Sequence, residues 1–439
     1  MQTGDTVARE DGTNSAWRLR RFFTYLGPTL IVSMAYMDPG NFGTAIQAGS
    51  TFGYALVWSV WAASAFAMIL QYMSGKLGIA TQESLPEMIR HSLKRRRYVL
   101  PYWVSAEIAA AATDLAEYLG TVIALNILFG VPLLYAAIFG AFDVVILLAL
   151  TSRRFRVLEY FFMLFISIIG FGFLYEILVV KPSIGQIVAN SLPLTATQLS
   201  GLSILTVVGI IGATVMPHAL FVHSSLTKTR AEGKSLSQRK NMLKLHRNEV
   251  IVVLTVAALV NVAIIVVAAA VLHPVAVNCL ATAAQNSTAS QNCSIVTVNQ
   301  AVNIMVPIVG GLSAVVFAIT LLASGLASSA TGTLAGQAIM EGLLGVRINP
   351  NLRRLVTRVI NVFPTTLAIF VGLNPLALLI YSQVLLSIMI PLPMVPLVFY
   401  TSSRRVMGEF VNRHSTILVA TLVALTIIVL NAYLVYTSV

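Results

Sequence analysis

Long apolar runs alternate with short polar stretches along this 439-residue chain. Each run is close to the roughly 20 residues that a helix needs to cross a bilayer. They fall at about 23–47, 52–75, 101–126, 131–151, 156–180, 200–227, 249–272, 301–328, 354–374, 376–400 and 414–437. The pattern predicts an all-α polytopic membrane protein with eleven transmembrane helices. Composition agrees: 57% of residues are hydrophobic, 10% are charged, and the mean hydropathy is +0.85, which excludes a soluble globular protein.

The formal charge of +12 would suggest nucleic acid as a partner of a soluble protein. Here the basic residues cluster on alternate loops instead. They lie before span 1 (Arg18, Arg20, Arg21), between spans 2 and 3 (Lys94 to Arg97) and between spans 4 and 5 (Arg153, Arg154, Arg156). They recur between spans 6 and 7 (Lys228 to Arg247), 8 and 9 (Arg347 to Arg358), and 10 and 11 (Arg404, Arg405, Arg413). The intervening loops are nearly free of lysine and arginine, Lys181 excepted. The positive-inside rule therefore predicts a plasma-membrane protein with a cytoplasmic N-terminus and an extracellular C-terminus. Residues 1–21 read as a cytoplasmic tail and not as a cleavable signal, because no basic segment directly precedes a short apolar core.

Span 1 places Asp38, Pro39, Gly40 and Asn41 where mid-membrane should be. A carboxylate there costs roughly 3 kcal/mol even on a lenient scale. Pro39 and Gly40 disfavour a continuous helix, and broken backbone at that depth must line a cavity or lie buried in protein. Span 6 repeats the feature, with Gly212 and Pro217 bracketing its middle. Superposing Pro39 on Pro217 makes span 6 follow span 1 by five crossings, and an odd number inverts the second half. Two broken helices at corresponding positions of inverted halves point to the substrate site of a secondary transporter. The expected organisation is a first repeat over 22–187 (spans 1–5), a second over 200–400 (spans 6–10), and span 11 at 412–437. The plainer alternative is that each proline kinks a packing helix.

Ligand chemistry narrows the substrate. Asp38 and Asn41 offer hard oxygens, carbonyls near Ala35 and Ala213 add more, and Met216 contributes a soft thioether. This mixed set suits a divalent transition metal, although a buried methionine is more often packing. Glu107, Asp114 and Glu117 in span 3 are spaced i, i+7, i+10 and share one helical face. They read either as a proton relay or as structural carboxylates held by arginines of another helix. His218 can titrate beside Asp38 or simply pack. Arg353 and Arg354 read as counter-ions or as anchors. Gln71 and Gln383 either complete a coordination shell from behind or bridge helices.

Cys279 and Cys293 share the loop between spans 7 and 8 on the predicted outer face, where either a disulfide or two free thiols fits. Asn286 and Asn292 in the same loop stand in glycosylation sequons.

At Asp38-Pro39-Gly40-Asn41, Met216-Pro217-His218 and Thr113-Asp114-Leu115-Ala116-Glu117 the sequence resembles the Nramp family of proton-coupled divalent metal ion transporters, of the prokaryotic type. The resemblance covers nearly the whole chain from about Arg20. It implies a leucine-transporter-like fold with a 5+5 inverted repeat and broken helices 1 and 6. It also implies import of manganese, ferrous iron and similar ions with protons, and no enzymatic activity. Carried over, Asp38, Asn41, Met216 and the carbonyls of Ala35 and Ala213 are the metal ligands, joined by Gln383 in the occluded state. Asp38, Glu107, Asp114, Glu117, His218, Arg353 and Arg354 match positions linked to proton movement, with His223 a weaker match. No resident cofactor is implied, since the metal ion and H+ are cargo. The expected partners are those ions and the lipid bilayer, without nucleic acid, and a monomer is sufficient.

Three rivals remain at the level of sequence. A sodium-coupled carrier of an organic solute is disfavoured because Asp38 would repel a substrate carboxylate. An intramembrane metalloenzyme lacks the expected His-Glu-x-x-His pair. A passive channel shares the ligands and differs only in failing to accumulate metal against its gradient.

Overall fold

The computed structural model describes residues 27–142, 155–192, 201–285 and 298–438. All regular elements among them are helices. In chain order they begin with α1 (Pro28–Ala35), α2 (Pro39–Phe52), α3 (Val57–Thr81), α4 (Leu85–Leu93), α5 (Arg96–Phe129) and α6 (Leu133–Gly140). Next come α7 (Phe155–Val180), α8 (Ile184–Ala189), α9 (Gly201–Val215), α10 (Pro217–Ala231) and α11 (Leu236–Gln285). The chain closes with α12 (Val298–Val309), α13 (Gly311–Leu344), α14 (Pro350–Phe370), α15 (Pro375–Met389), α16 (Pro391–Ser402) and α17 (His414–Ser438).

Eight helices among the described residues are long and apolar enough to cross a membrane. Three expected spans fall outside that set for visible reasons. Span 1 is split into α1 and α2, and the latter runs through a 3-10 turn into α3. Span 4 runs from α6 into residues 143–154, outside the described residues. Span 9 is α14, which has the right length but carries Arg353, Arg354 and Arg358.

One boundary differs from the hydropathy reading. The eighth apolar run, expected at 301–328, is divided at Gly310, whose φ of +93° ends α12. The long helix α13 starts at Gly311 and continues to Leu344. Hydropathy cannot register a left-handed residue inside an apolar run.

The helices pack through small residues, as expected where lipid supplies no hydrophobic drive between them. A β-carbon added to Gly120 of α5 would lie 2.2 Å from the Pro39 ring. The N-terminus of α2 is therefore pressed directly onto α5. The most extensive contact among the described helices joins α5 to α13. It uses Gly325 and Gly332 on α13, whose added β-carbons would touch Glu117 and Thr121 of α5, while Gly336 gives room to Arg353 of α14. These contacts set the two breaks against the carboxylate-bearing face of α5.

Candidate functional site

The first break occupies Tyr36 to Asp38. Helix α1 ends at Ala35, and Asp38 turns extended (φ −78°, ψ 164°) to cap α2, with Pro39 at the first helical position. Proline lacks an amide hydrogen that the first turn would leave unsatisfied anyway, so α2 starts there without penalty. The Asp38 carboxylate accepts from the Asn41 backbone amide at 2.9 Å and from the Asn41 side-chain Nδ2 at 2.7 Å. Both bonds go to one oxygen, Oδ1. The other, Oδ2, is buried without a hydrogen-bond partner.

Asn41 ties the two breaks together. Its Nδ2 also donates to the carbonyls of Tyr36 at 3.2 Å and of Ala213 at 3.0 Å. One amide nitrogen thus stands within reach of three oxygens. Its Oδ1 accepts from the Thr214 hydroxyl at 3.2 Å. Of the two expected carbonyls, that of Ala213 is in this cluster. On the first helix it is Tyr36, not Ala35, whose carbonyl takes part, and Asn261 of α11 also donates to it at 2.9 Å.

The second break is narrower. Met216 alone separates α9 from α10, with Pro217 again opening the following helix. Its backbone is left-handed, φ +47°, and its side chain is fully buried. Such a conformation in a non-glycine residue costs on the order of 1–3 kcal/mol and persists only where packing imposes it. Helices α1 and α9 both present C-terminal carbonyls at the breaks, the partly negative end of a helix dipole, which favours a cation.

Gln383 of α15 closes the cluster from a third side. A β-carbon on Gly40 would lie 2.2 Å from Gln383 Nε2 and 2.7 Å from Asp38 Oδ2. The amide, the carboxylate and the α2 backbone therefore meet at one point, where only glycine fits. A β-carbon on Gly212 would lie 1.8 Å from the Gln383 carbonyl, so α9 and α15 touch backbone to backbone. Gln383 Oε1, like Asp38 Oδ2, is buried without a partner. Such orphaned acceptors cost roughly 1–3 kcal/mol each unless something else answers them.

His218, on the first turn of α10, adds a third acceptor. Its Nδ1 lies 3.0 Å from Thr113 Oγ1 on α5. The Thr113 hydroxyl donates to the Ala109 carbonyl at 3.1 Å, so it accepts from the histidine. That assigns the proton to Nδ1 and leaves Nε2, which has no partner, as a bare lone pair. This contact ties the second break to α5, the helix that carries the carboxylates.

The stripe meets arginines of another helix, as one of the two sequence readings has it. Arg353 Nη2 donates to both oxygens of Glu107, which also accepts from Trp103 Nε1 at 3.0 Å. Asp114 accepts from Asn361 Nδ2 at 2.6 Å and lies 3.7 Å from Arg358 Nη1. Arg358 also reaches Ser329 at 3.1 Å and stands over the Tyr118 ring. Glu117 is buried against α13, where a β-carbon on Gly332 would lie 3.1 Å from its carboxylate oxygens. A cavity of about 20 Å³ between Asp114 and Arg353 has room for about one water molecule. The Arg354 side chain lies outside the described residues. Sequence reasoning missed Arg358 and Asn361, although both follow Arg354 at helical spacing.

Gln71 and His223 form a separate group. His223 Nδ1 donates to Gln71 Oε1 at 2.7 Å, and its Nε2 lies 3.5 Å from the Thr29 hydroxyl. The Thr29 amide donates to Glu249 at 3.2 Å, and the His246 ring stands edge-on to His223 at 5.0 Å. Gln71 is thus engaged with His223, and its side chain also neighbours that of Tyr36 at the first break. His246 was hidden in a polar stretch that reads as a loop, whereas α11 begins at Leu236; Glu249 opens the seventh apolar run, where sequence reasoning gave it no role. Cys279 is disulfide-bonded, and Cys293, the other half of the expected pair, lies outside the described residues.

Comparison with known proteins bears on these features directly. The chain is 39% identical over 97% of its length to the divalent metal cation transporter MntH of Deinococcus radiodurans, covering 92% of that protein. The Eremococcus coleocola manganese transporter, crystallised with an aromatic bis-isothiourea substituted compound, superposes with a TM-score of 0.79. Identity there is 32%, over 96% of this chain and 87% of that one. The fold extends to MhsT, solved with L-phenylalanine, at a TM-score of 0.58 and 13% identity over 92% and 98% of the two chains. This is the leucine-transporter-like architecture that the family resemblance implies. The family model described as natural resistance-associated macrophage protein-like matches residues 29–437, and the chain belongs to the Nramp family.

Proposed function

We propose that this protein imports divalent transition metal ions, manganese and ferrous iron among them, across the plasma membrane by proton symport. As an Nramp family member it is a multi-pass membrane transporter of metal ions and not an enzyme. The observation that carries the finer reading is that the Asp38 carboxylate and the Gln383 side-chain amide close on Gly40 beside two broken helices, with Asp38 Oδ2 and Gln383 Oε1 each buried and unpartnered. A cation answers both. For Asn41 to join them through oxygen, its amide must turn over, releasing the carbonyls of Tyr36 and Ala213 to the same ion. Met216 supplies sulfur, which disfavours calcium and magnesium relative to later metals.

Proton movement follows from the same geometry. The bare Nε2 of His218 takes up a proton near the breaks, and Thr113 ties that histidine to α5, where Glu107 and Asp114 pair with Arg353 and Arg358. The basic loops put the N-terminus in the cytoplasm and the C-terminus outside. A negative interior then favours entry, two charges crossing 100 mV being worth about 4.6 kcal/mol. With inverted repeats over 22–187 and 200–400, alternating access would be a rocking of spans 1, 2, 6 and 7 against the rest around the breaks.

Uptake into proteoliposomes, with and without an inward proton gradient, tests this reading. Manganese should accumulate above its equilibrium level only with the gradient. Equilibration without accumulation would instead mark a channel.

A further inference from the structure

A cavity lies away from the breaks. It has a volume of about 670 Å³ and is enclosed by α3, α11 and the N-terminus of α17 with the segment before it. Five cations line it: Lys76, Lys240, Lys244, Arg247 and Arg413. Glu409 is the one carboxylate among the described lining residues, and it is paired with Lys240 at 2.5 Å. Lys76 is buried and donates to Asn412 at 2.7 Å, a neutral partner that leaves its charge uncompensated. Lys244, Arg247 and Arg413 have no acidic partner among the described residues.

The charge is graded with depth. Along α11 the lining passes from Lys240 through Lys244 and Arg247 to Val250 and Ile251, a rise of about 16 Å. On α3 it passes from Lys76 through Tyr72 to Ile69 and Met68. Both helices turn from basic at the polar end to apolar toward the membrane interior. A soluble phosphate would use only the basic mouth. A phospholipid matches both parts, its phosphate at the cations and its first acyl carbons on the aliphatic side chains.

We propose that this cavity binds an anionic phospholipid headgroup. Basic pockets between transmembrane helices recognise such headgroups through charge-assisted contacts to phosphate. The site joins α3 and α11 to the N-terminus of α17, so a bound lipid bridges helices of the first and second halves of the chain.

Native mass spectrometry of the purified full-length protein tests this, with dioleoyl phosphatidylglycerol and dioleoyl phosphatidylcholine as probes. The wild type should retain phosphatidylglycerol preferentially, and less of it as ionic strength rises. Lys244 and Arg247 are exposed, so Lys244→Glu with Arg247→Glu should leave the fold intact while cutting that retention by about tenfold. The charge-preserving pair Lys244→Arg with Arg247→Lys should keep it, and Arg404→Ala with Arg405→Ala, outside the cavity, should leave it unchanged. Equal retention of the two lipids, or unchanged retention in the charge-reversed variant, overturns the proposal. Displacement by equimolar glycerol 3-phosphate overturns it too, since the site would then serve a free anion.

Discussion

Arg353 on α14 places one guanidinium nitrogen 2.9 and 2.6 Å from the two oxygens of Glu107 on α5, across 246 residues of sequence. Arg353 is almost fully buried, while Glu107 keeps a quarter of its side chain exposed. Removing the arginine leaves a largely desolvated carboxylate. Arg353→Ala should therefore cost about 2–3 kcal/mol, at or below the lower end of the range for buried pairs because of that exposure. Arg353→Ala with Glu107→Gln should recover part of the loss. A double-mutant cycle on thermal or denaturant unfolding in detergent reads the coupling; additive losses would mean the pair contributes nothing jointly.

Asp38→Asn separates charge from architecture. Asparagine caps helices about as well as aspartate, so the bond to the Asn41 amide and the start of α2 should survive. The charge facing the breaks is lost. Manganese uptake should fall by on the order of a hundredfold, with the melting temperature close to wild type. Retained uptake would remove Asp38 from the ion path.

Met216→Ala addresses selectivity. Manganese transport should fall only modestly, since oxygen donors suffice for that ion, but calcium or magnesium should begin to compete. Competition assays in proteoliposomes measure this directly. If neither ion competes better than with wild type, sulfur does not set selectivity.

Gly40→Ala is a steric probe of the same point. The new methyl group would stand 2.2 Å from Gln383 Nε2 and 2.7 Å from Asp38 Oδ2, so Gln383 must withdraw. Metal affinity by isothermal titration should weaken at least about tenfold, as a 1.4 kcal/mol loss implies. Unchanged affinity would show that Gln383 is not needed near Asp38.

Glu87, at the start of α4, gives a pH-dependent contribution. Burial alone would raise its pKa. Hydrogen bonds from Lys228 at 2.7 and 2.9 Å and from Ser84, with the charge of Lys228, prevail and hold it below the usual glutamate range. The folded state therefore favours the ionised form. Its stabilisation is present above the ordinary pKa and is lost as pH falls through the lowered one. Glu87→Gln should destabilise the protein by about 0.5–1 kcal/mol at neutral pH. That difference should vanish in acid, as melting curves at pH 7 and below pH 4 would reveal.

The breaks were legible because their cause is local. Pro39 with Gly40, and Pro217 with Gly212, locally disfavour a continuous helix beside polar residues, whereas α11 and α14 run through Pro274 and Pro364. The α5 stripe was legible for a similar reason, since helical spacing alone puts Glu107, Asp114 and Glu117 on one face. Their partners were not: Arg358 and Asn361 meet Asp114 only through the packing of α14 on α5, which no local pattern encodes. The part played by the Tyr36 carbonyl was not legible either, because its partners Asn41 and Asn261 come from other helices. His246 went unseen because a polar, basic start disguised the first turns of α11 as a loop, and Glu249, at the very edge of the seventh apolar run, had no local pattern to pair it with Thr29.

The Asn41 amide, held at once by the carboxylate of Asp38 and the carbonyls of Tyr36 and Ala213, has a further consequence. It behaves as a neutral lodger in a seat built for positive charge. Any ion that would sit there must first evict it, breaking three short contacts before gaining its own. A singly charged ion offers these oxygens little more than the amide already does, whereas a doubly charged one offers far more. On the metal-site reading proposed above, a threshold of this kind would select by valence, against sodium and potassium, before ionic size or the softness of the donors comes into play.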